Sequence, residues 1–91
     1  AVNSLTKSMA LELGPIGIRV NCLAPGLIDS GRVKTMLGDD PEEMKRRTSG
    51  IPLGRLGDPE DIGATVVFLL SPENSFMNGS VVSVDGGAVA G

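Results

Sequence analysis

The sequence predicts an α/β fold in which two short apolar strands run parallel and the chain between them contains helices. The apolar runs at residues 18–24 and 80–84 have the length of buried strands. Residues 1–13, and the segment between Asp58 and Ser71, carry apolar side chains at helical spacing. A parallel pair requires a long crossover, which is usually helical. Because two strands are not stable alone, we predict the last strand–helix–strand unit of a larger doubly wound parallel sheet.

Composition limits the function classes that the chain can belong to. Its 91 residues allow one domain, and its net charge of −3 with scattered basic residues argues against nucleic-acid binding. No apolar run approaches the roughly 20 residues of a membrane span. The single cysteine, Cys22, cannot form an internal disulfide, so we expect a reducing, cytoplasmic compartment. The chain begins at Ala1 within a predicted helix, so we expect a fragment, a processed product or part of a longer chain.

The first helix, over residues 1–13, has two stripes of side chains that indicate burial on two sides. The apolar stripe consists of Val2, Leu5, Met9 and Leu13, and the stripe of mainly small residues consists of Ala1, Ser4, Ser8 and Leu11. Gly14 is predicted to cap the helix at its C-terminus, with Pro15 just beyond.

The first strand, over residues 18–24, is apolar on both faces. Ile18, Val20, Cys22 and Ala24 share one face, and Leu23 lies on the other. Such a strand is typical of the centre of a parallel sheet that is covered on both sides. Cys22 has no neighbouring cation in the sequence, so a buried and inert thiol is predicted rather than a catalytic one.

Two sites in the sequence carry start signals for helices. Asp40 is predicted as an N-cap with Pro41 at the first helical position and Glu43 completing a capping box, in a short helix that ends near Arg47. Asp58-Pro59-Glu60-Asp61 repeats the signal, and its helix is predicted to end near Ser71-Pro72. Capping explains these carboxylates better than acid–base chemistry does. With no histidine and one cysteine, no metal site is predicted.

The segment Pro25-Gly26-Leu27-Ile28-Asp29-Ser30 follows the first strand, at the edge where open α/β sheets bind ligands. Gly26 lacks a Cβ and permits close approach, Pro25 fixes the turn, and Ser30 offers a hydroxyl. Taken alone, Pro-Gly after a strand is also an ordinary strand-to-loop turn.

Together with Gly17–Asn21, Pro52–Asp61 and Val84–Gly87, this segment resembles the C-terminal part of the classical short-chain dehydrogenases/reductases. The resemblance covers nearly all of the chain and implies a Rossmann-type fold that uses NAD or NADP. It implies that Pro25 and Gly26 lie along the nicotinamide ring and that the Ile28 backbone bonds the carboxamide. Ser30 would bond the carboxamide or the pyrophosphate, where the family more often has Thr.

The resemblance also implies a substrate lid over residues 31–50. The residues expected to contact a small alcohol or carbonyl substrate are Leu27, Val33, Met36 and Leu37. A solvated surface helix with a few core anchors is the alternative for this segment. The family further implies a homodimer or homotetramer, with the first helix and the last helix–strand unit at subunit interfaces.

The family's glycine-rich motif and its catalytic serine, tyrosine and lysine would lie upstream of Ala1, and the chain has no tyrosine. Lys7 lies too far along its helix to take the lysine's place, so no catalytic residue is assigned. Asp85-Gly86-Gly87 is predicted to be a structural turn. The sequence thus favours an inactive segment of an NAD(P)-dependent oxidoreductase. The alternative is a non-enzymatic remnant that self-associates as a structural or interaction module.

Overall fold

The computed structural model describes residues 1–32 and 40–90. In chain order, these contain helix α1 (Val2–Leu13), a 3-10 helix (Gly14–Ile16), strand β1 (Cys22–Pro25), helix α2 (Pro41–Thr48), helix α3 (Pro59–Leu70) and strand β2 (Val81–Val84). The predicted order of helices and strands is therefore confirmed. Helix α3 ends directly before Ser71-Pro72, as the proline predicts.

Strands β1 and β2 pair in parallel, with Cys22 opposite Val81 and Pro25 opposite Val84. The predicted parallel pair is confirmed, and helices α2 and α3 lie in the crossover between the strands. In the described residues β1 has β2 as its neighbour and no strand on its other side. Cys22 is half-buried rather than buried.

The first strand begins at Cys22, so the predicted range 18–24 is wrong for its first four residues. Asn78 and Asn21 supply side-chain partners to the backbone there. The Val20 N–H donates to Asn78 Oδ1 at 2.9 Å, and the Ser80 N–H donates to Asn21 Oδ1 at 3.0 Å. Because side-chain amides take the place of ladder bonds, regular pairing starts only after them. The second strand likewise begins at Val81 rather than at residue 80.

The end of α1 differs from the predicted glycine cap. Gly14 is right-handed, with φ −54°, and the chain continues into the 3-10 helix, where Pro15 is tolerated in the first turn. Gly17, with φ 85°, is the left-handed residue, and its N–H donates to the Gly14 C=O at 2.9 Å. A non-glycine residue would be strained at that φ, so Gly17 takes the role predicted for Gly14.

Helix α1 buries neither of its predicted stripes in the described structure. Its buried residues are Thr6 and Ala10, whereas Leu11 is 80% exposed. Ala10 contacts the turn before β2, where its C=O accepts from Asn78 Nδ2 at 3.1 Å. The Ala10 Cβ lies 3.4 Å from where a Cβ on Gly79 would be. Two-sided burial of α1 is therefore wrong for these residues, because the contacting face is a narrow one.

At the start of α2 the predicted N-cap at Asp40 is confirmed, but the predicted capping box with Glu43 is wrong. The Asp40 carboxylate accepts from the N–H groups of Glu42 and Glu43, at 3.1 and 3.3 Å. The Glu43 carboxylate pairs with Arg46 and, at 3.6 Å, with Arg47. These arginines lie one turn along the helix and compete with the N-cap N–H for the carboxylate. The helix ends at Thr48, one residue beyond the predicted Arg47.

The described residues form only a small apolar core. Its buried members are Ala10, Ile51 and Leu69. The Cα radius of gyration is 16.3 Å, whereas a compact domain of this length would have about 12 Å. No helix of the described part is both long and apolar enough to cross a membrane. Much of the apolar surface therefore remains uncovered.

Candidate functional site

The segment after β1 begins by extending the sheet pairing. The Gly26 N–H donates to the Val84 C=O at 2.9 Å. A Cβ on Gly26 would lie 2.6 Å from the Asp85 Cβ and 2.8 Å from the Asp85 Cα, closer than real Cβ contacts. The absence of a side chain at Gly26 is therefore required by a contact within the chain. Close approach of a ligand to Gly26 stays a prediction.

Ile28 is held in an extended conformation by Gly57, its partner in an isolated parallel bridge. The Gly57 N–H donates to the Leu27 C=O at 2.9 Å, and the Asp29 N–H donates to the Gly57 C=O at 2.8 Å. Successive backbone groups of an extended chain face opposite sides, so the N–H and C=O of Ile28 face away from Gly57. Within residues 1–32 and 40–90 neither group has a hydrogen-bond partner. The bridge thus presents one free donor and one free acceptor side by side.

Gly57 permits this bridge to form closely. A Cβ on Gly57 would lie 2.6 Å from Ile28 Cδ1, so the side chain of Ile28 occupies the space that a side chain at residue 57 would need. Sequence reasoning assigned no role to Gly57. The sequence around residue 57 carries no pattern that indicates this close approach.

Ser30 lies in a tight turn that Asp29 forms with its own side chain. Asp29 Oδ1 accepts from the Gly31 N–H at 2.8 Å, the pattern of an Asx turn. Ser30 is exposed, and its hydroxyl has no partner in the part of the chain that the structure describes. The hydroxyl is therefore available to a ligand from solvent.

Residues of the segment after β1 line two cavities. A cavity of about 190 Å³ is lined by Leu27 and Ile28 together with Arg55, Gly57 and Asp61. A wider cavity of about 390 Å³ is bordered by Pro25, Gly26 and Leu27. Leu27 borders both cavities and is 59% exposed, which leaves it available to a small apolar ligand.

The predicted site residues are thus brought into one continuous segment but not into one cavity. Pro25 and Gly26 border the wider cavity and Ile28 borders the smaller one, whereas Ser30 lines neither. Of the predicted substrate contacts, Leu27 lies at this segment. Val33, Met36 and Leu37 lie outside the described residues.

The turn after β2 borders both cavities and is structural, as predicted. Asp85 Oδ1 accepts from the Gly87 N–H at 2.9 Å, and the Gly86 C=O accepts from the Leu53 N–H at 3.1 Å. Gly86 and Gly87 have φ values of 65° and 96°, which favour glycine. A Cβ on Gly86 would lie 2.7 Å from Ile51 Cγ2. The turn therefore packs the end of β2 against the 51–53 loop.

Asp61 is the most constrained carboxylate near the site. Its Oδ2 accepts from the Asp58 N–H at 2.8 Å and from Arg55 Nη1 at 3.1 Å. The Asp58 N–H and then Arg55 hold the pKa of Asp61 below its ordinary value, and Asp61 raises the pKa of Arg55. A carboxylate stabilised in its charged form is a weak base, which favours the capping interpretation over acid–base chemistry. Sequence reasoning did not single out Arg55.

Metal chemistry finds no support in the described residues. Across 1–32 and 40–90, no group of three or more histidine, cysteine, aspartate or glutamate side chains is placed to hold a metal ion. Within the described residues, the unpaired polar groups of the segment after β1 include the Ile28 N–H and C=O and the Ser30 hydroxyl. Such groups suit a neutral polar ligand.

Comparison with known proteins identifies relatives of this chain. The family model described as Enoyl-(Acyl carrier protein) reductase matches residues 1–89. Over 93 residues, the chain is 46% identical to Inactive 2-(S)-hydroxypropyl-CoM dehydrogenase 2 of Xanthobacter autotrophicus, covering 99% of this chain and 40% of that relative. The chain therefore spans well under half the length of such relatives.

Solved structures agree over the whole chain. A short chain dehydrogenase family protein from Francisella tularensis superposes with a TM-score of 0.82 at 34% identity, over 99% of this chain and 40% of that one. A 4-hydroxyisoleucine dehydrogenase mutant complexed with NADH and succinate superposes with a TM-score of 0.86 at 35% identity, over 100% of this chain and 37% of that one. The family-model match and these likenesses show that the chain belongs to the short-chain dehydrogenase/reductase family.

Proposed function

We propose that this chain is the C-terminal segment of a single NAD(P)-binding Rossmann-type domain. The whole protein would be an oxidoreductase that interconverts an alcohol and a carbonyl. The alignment with one relative covers 99% of this chain but only 40% of that relative, which supports a segment of a longer fold. The small core, with three buried apolar residues among those described, supports the same proposal. The segment would supply the loop on the nicotinamide side and, over residues 31–50, the substrate lid.

The geometry of Ile28 carries this proposal. A nicotinamide carboxamide presents one acceptor oxygen and one donor NH₂ group in a plane. The Ile28 backbone offers the complementary donor and acceptor, unpaired in the described chain and held extended by the bridge to Gly57. The residues present therefore fit the cofactor's carboxamide. The NADH complex of the similar 4-hydroxyisoleucine dehydrogenase supports a nicotinamide cofactor here.

The other residues of the segment would orient the cofactor and the substrate. Pro25 and Gly26 would lie along the ring, and the exposed Ser30 hydroxyl would bond the carboxamide or the pyrophosphate. Leu27, which is exposed and lines both cavities, would contact the substrate with Val33, Met36 and Leu37. A bound nicotinamide supplies or accepts the hydride. The catalytic serine, tyrosine and lysine would lie in the upstream part, so the isolated chain would be inactive.

Assembly into a homodimer or homotetramer belongs to the same proposal. The exposed apolar side chains of α1 and α3 provide surface for it. They include Val2, Leu5 and Leu11 on α1 and Val67, Phe68 and Leu70 on α3. Part of this surface would instead be covered by the upstream part of the same subunit.

A non-enzymatic remnant is the second candidate. A relative that is 46% identical over this segment is itself named inactive, so similarity here does not distinguish active from inactive proteins. The uncovered apolar faces would then be used for self-association. Such a remnant would fold and associate without any upstream polypeptide.

The test compares the isolated chain with a full-length chimera. Residues 1–89 would replace the corresponding segment of 4-hydroxyisoleucine dehydrogenase, and NADH binding would be measured by calorimetry. We expect the chimera to bind NADH and the isolated chain not to bind it. Ile28→Pro, which removes one N–H but suits the extended conformation, should weaken binding about tenfold, the value of one lost hydrogen bond. Ile28→Val keeps both backbone groups and is the matched control.

Two outcomes would contradict the proposal. If Ile28→Pro and Ile28→Val bound NADH equally well, the Ile28 backbone would not contact the carboxamide. If the isolated chain unfolded cooperatively as a soluble homo-oligomer, the remnant would be the better description.

A further inference from the structure

The Asp61 carboxylate closes a small ring of contacts around Gly57. Asp61 Oδ2 accepts from Arg55 Nη1 at 3.1 Å, on one side of Gly57 in sequence, and from the Asp58 N–H at 2.8 Å, on the other side. Arg55 Nη1 also donates to the Leu56 C=O at 3.0 Å. The Asp58 backbone is therefore bonded directly to the Asp61 carboxylate, and the Leu56 backbone is linked to it through the Arg55 guanidinium.

The residue inside that ring is the one that holds Ile28. Both backbone groups of Gly57 are bonded to the residues that flank Ile28, at 2.9 and 2.8 Å. A shift of Gly57 would therefore move Ile28 or break those bonds. The Arg55–Asp61 pair also lines the same cavity as Ile28 and Gly57.

We propose that Asp61, together with Arg55, is a positioning residue for the cofactor's carboxamide, acting through Gly57 and the Ile28 backbone. The inference rests on the proposed function, since the contact between Ile28 and the carboxamide is part of it. Asp61 touches neither cofactor nor substrate in this role. It fixes the backbone whose donor and acceptor must match the carboxamide in distance and direction.

Helix capping alone makes a different prediction from positioning. A cap at the start of α3 would affect stability and leave the selectivity for the carboxamide unchanged. An ion pair as exposed as Arg55–Asp61 contributes little to global stability. The two roles are therefore separable by a measurement that depends on the carboxamide itself.

The experiment measures selectivity for the carboxamide in the full-length protein that contains this chain. Calorimetry would give the dissociation constants of NADH and of its reduced 3-acetylpyridine analogue, which lacks the amide N–H groups, or of the corresponding NADP pair. Asp61→Ala removes the ring of contacts. Asp61→Asn keeps an oxygen for the Asp58 N–H and loses the ion pair. Glu73→Gln is the control, because Glu73 accepts from Ser71 beyond the other end of α3.

We expect the unmodified protein to bind NADH more tightly than the analogue. Asp61→Ala should weaken NADH binding about fivefold to tenfold, the effect of one misplaced hydrogen bond, and weaken analogue binding much less. Asp61→Asn should lie between, and Glu73→Gln should change neither constant. If circular dichroism shows that Asp61→Ala does not fold, the same measurements on Asp61→Asn and Arg55→Gln test the proposal.

Each contrary result has its own meaning. If the Asp61 variants lose stability and keep the ratio of the two constants, Asp61 is only a helix cap and the positioning proposal is wrong. If the unmodified protein binds neither cofactor, or binds NADH and the analogue equally, the proposed contact at Ile28 fails and the positioning proposal fails with it.

Discussion

At the scale of single residues, Gly26 shows how a glycine beside a ligand site can be required by the fold itself. A Cβ on Gly26 would meet the Cα and Cβ of Asp85, which are fixed by strand β2 and cannot move aside as a side-chain tip could. We expect Gly26→Ala to lower the free energy of unfolding by about 1–3 kcal/mol, the usual cost of overpacking. Urea denaturation of the full-length protein would measure it.

Gly63 is the matched control for that substitution. It lies inside α3 with open space around its would-be Cβ, so Gly63→Ala should raise the free energy of unfolding by about 1 kcal/mol. Equal and small effects at the two glycines would show that Asp85 does not pack on Gly26 as described.

Asp61 gives a pH dependence with a definite sign. Its folded-state pKa is held below the ordinary value, first by the Asp58 N–H and then by Arg55. Its contribution to stability is therefore fully present above the ordinary aspartate pKa of about 3.9 and is lost as the pH falls through the lower folded value. Asp61→Asn should reduce the dependence of the unfolding free energy on pH below about pH 4. Parallel pH curves for the two proteins would contradict this.

Residue-level prediction from the sequence succeeds where one local partner has no competitor. Among the described residues the Asp40 carboxylate has no ion-pair partner, and it accepts from the N–H groups of Glu42 and Glu43. Glu43 carries the pattern of a capping box but has two arginines within one helical turn, and it pairs with them. The capping-box pattern considers only the N-cap and Glu43, so it does not take the competing arginines into account.

At the scale of elements, the start of β1 is set by side chains that come from far along the chain. Asn78 accepts from the Val20 N–H at 2.9 Å and donates to the Ala10 C=O at 3.1 Å, joining the approach to β1 with α1. Arg19 adds bonds to the Met77 and Leu69 carbonyls, at 3.1 and 3.0 Å. An apolar run cannot reveal such partners, and this is why the strand was predicted to start four residues too early.

The Asn78 contacts give a prediction at this scale. Asn78→Ala should lower the free energy of unfolding by about 1–2 kcal/mol, because it removes one donor and one acceptor. Asn78→Asp keeps the acceptor for the Val20 N–H but places a carboxylate oxygen against the Ala10 C=O, so it should lose at least as much. Asn3→Ala, at an exposed position of α1, is the control and should change little. Thermal unfolding of the full-length variants measures all three, and an equal effect at residues 3 and 78 would contradict the assigned role.

At the scale of the whole molecule, the sequence predicted the parallel pair, because a crossover with helices admits few other arrangements. It did not predict which faces stay uncovered. Both stripes of α1 look like core in the sequence, yet Leu11 is 80% exposed and α1 contacts its neighbours through Ala10. Whether a helix face is buried depends on surfaces contributed from elsewhere in the fold. The spacing of apolar residues identifies the apolar face of a helix, but it does not identify the surface that covers that face.

The uncovered faces predict how the isolated chain behaves. With Leu11 and Phe68 exposed and few residues buried, we expect the isolated chain to self-associate at micromolar concentration and to unfold without a sharp cooperative transition. Light scattering after size exclusion, and urea denaturation, would measure both. Leu11→Glu should reduce self-association of the isolated chain, whereas in the full-length protein the same change should impair folding or assembly by burying an unpaired charge. If Leu11→Glu were harmless in the full-length protein, α1 would face solvent there, and the covering surface inferred for that helix would not exist.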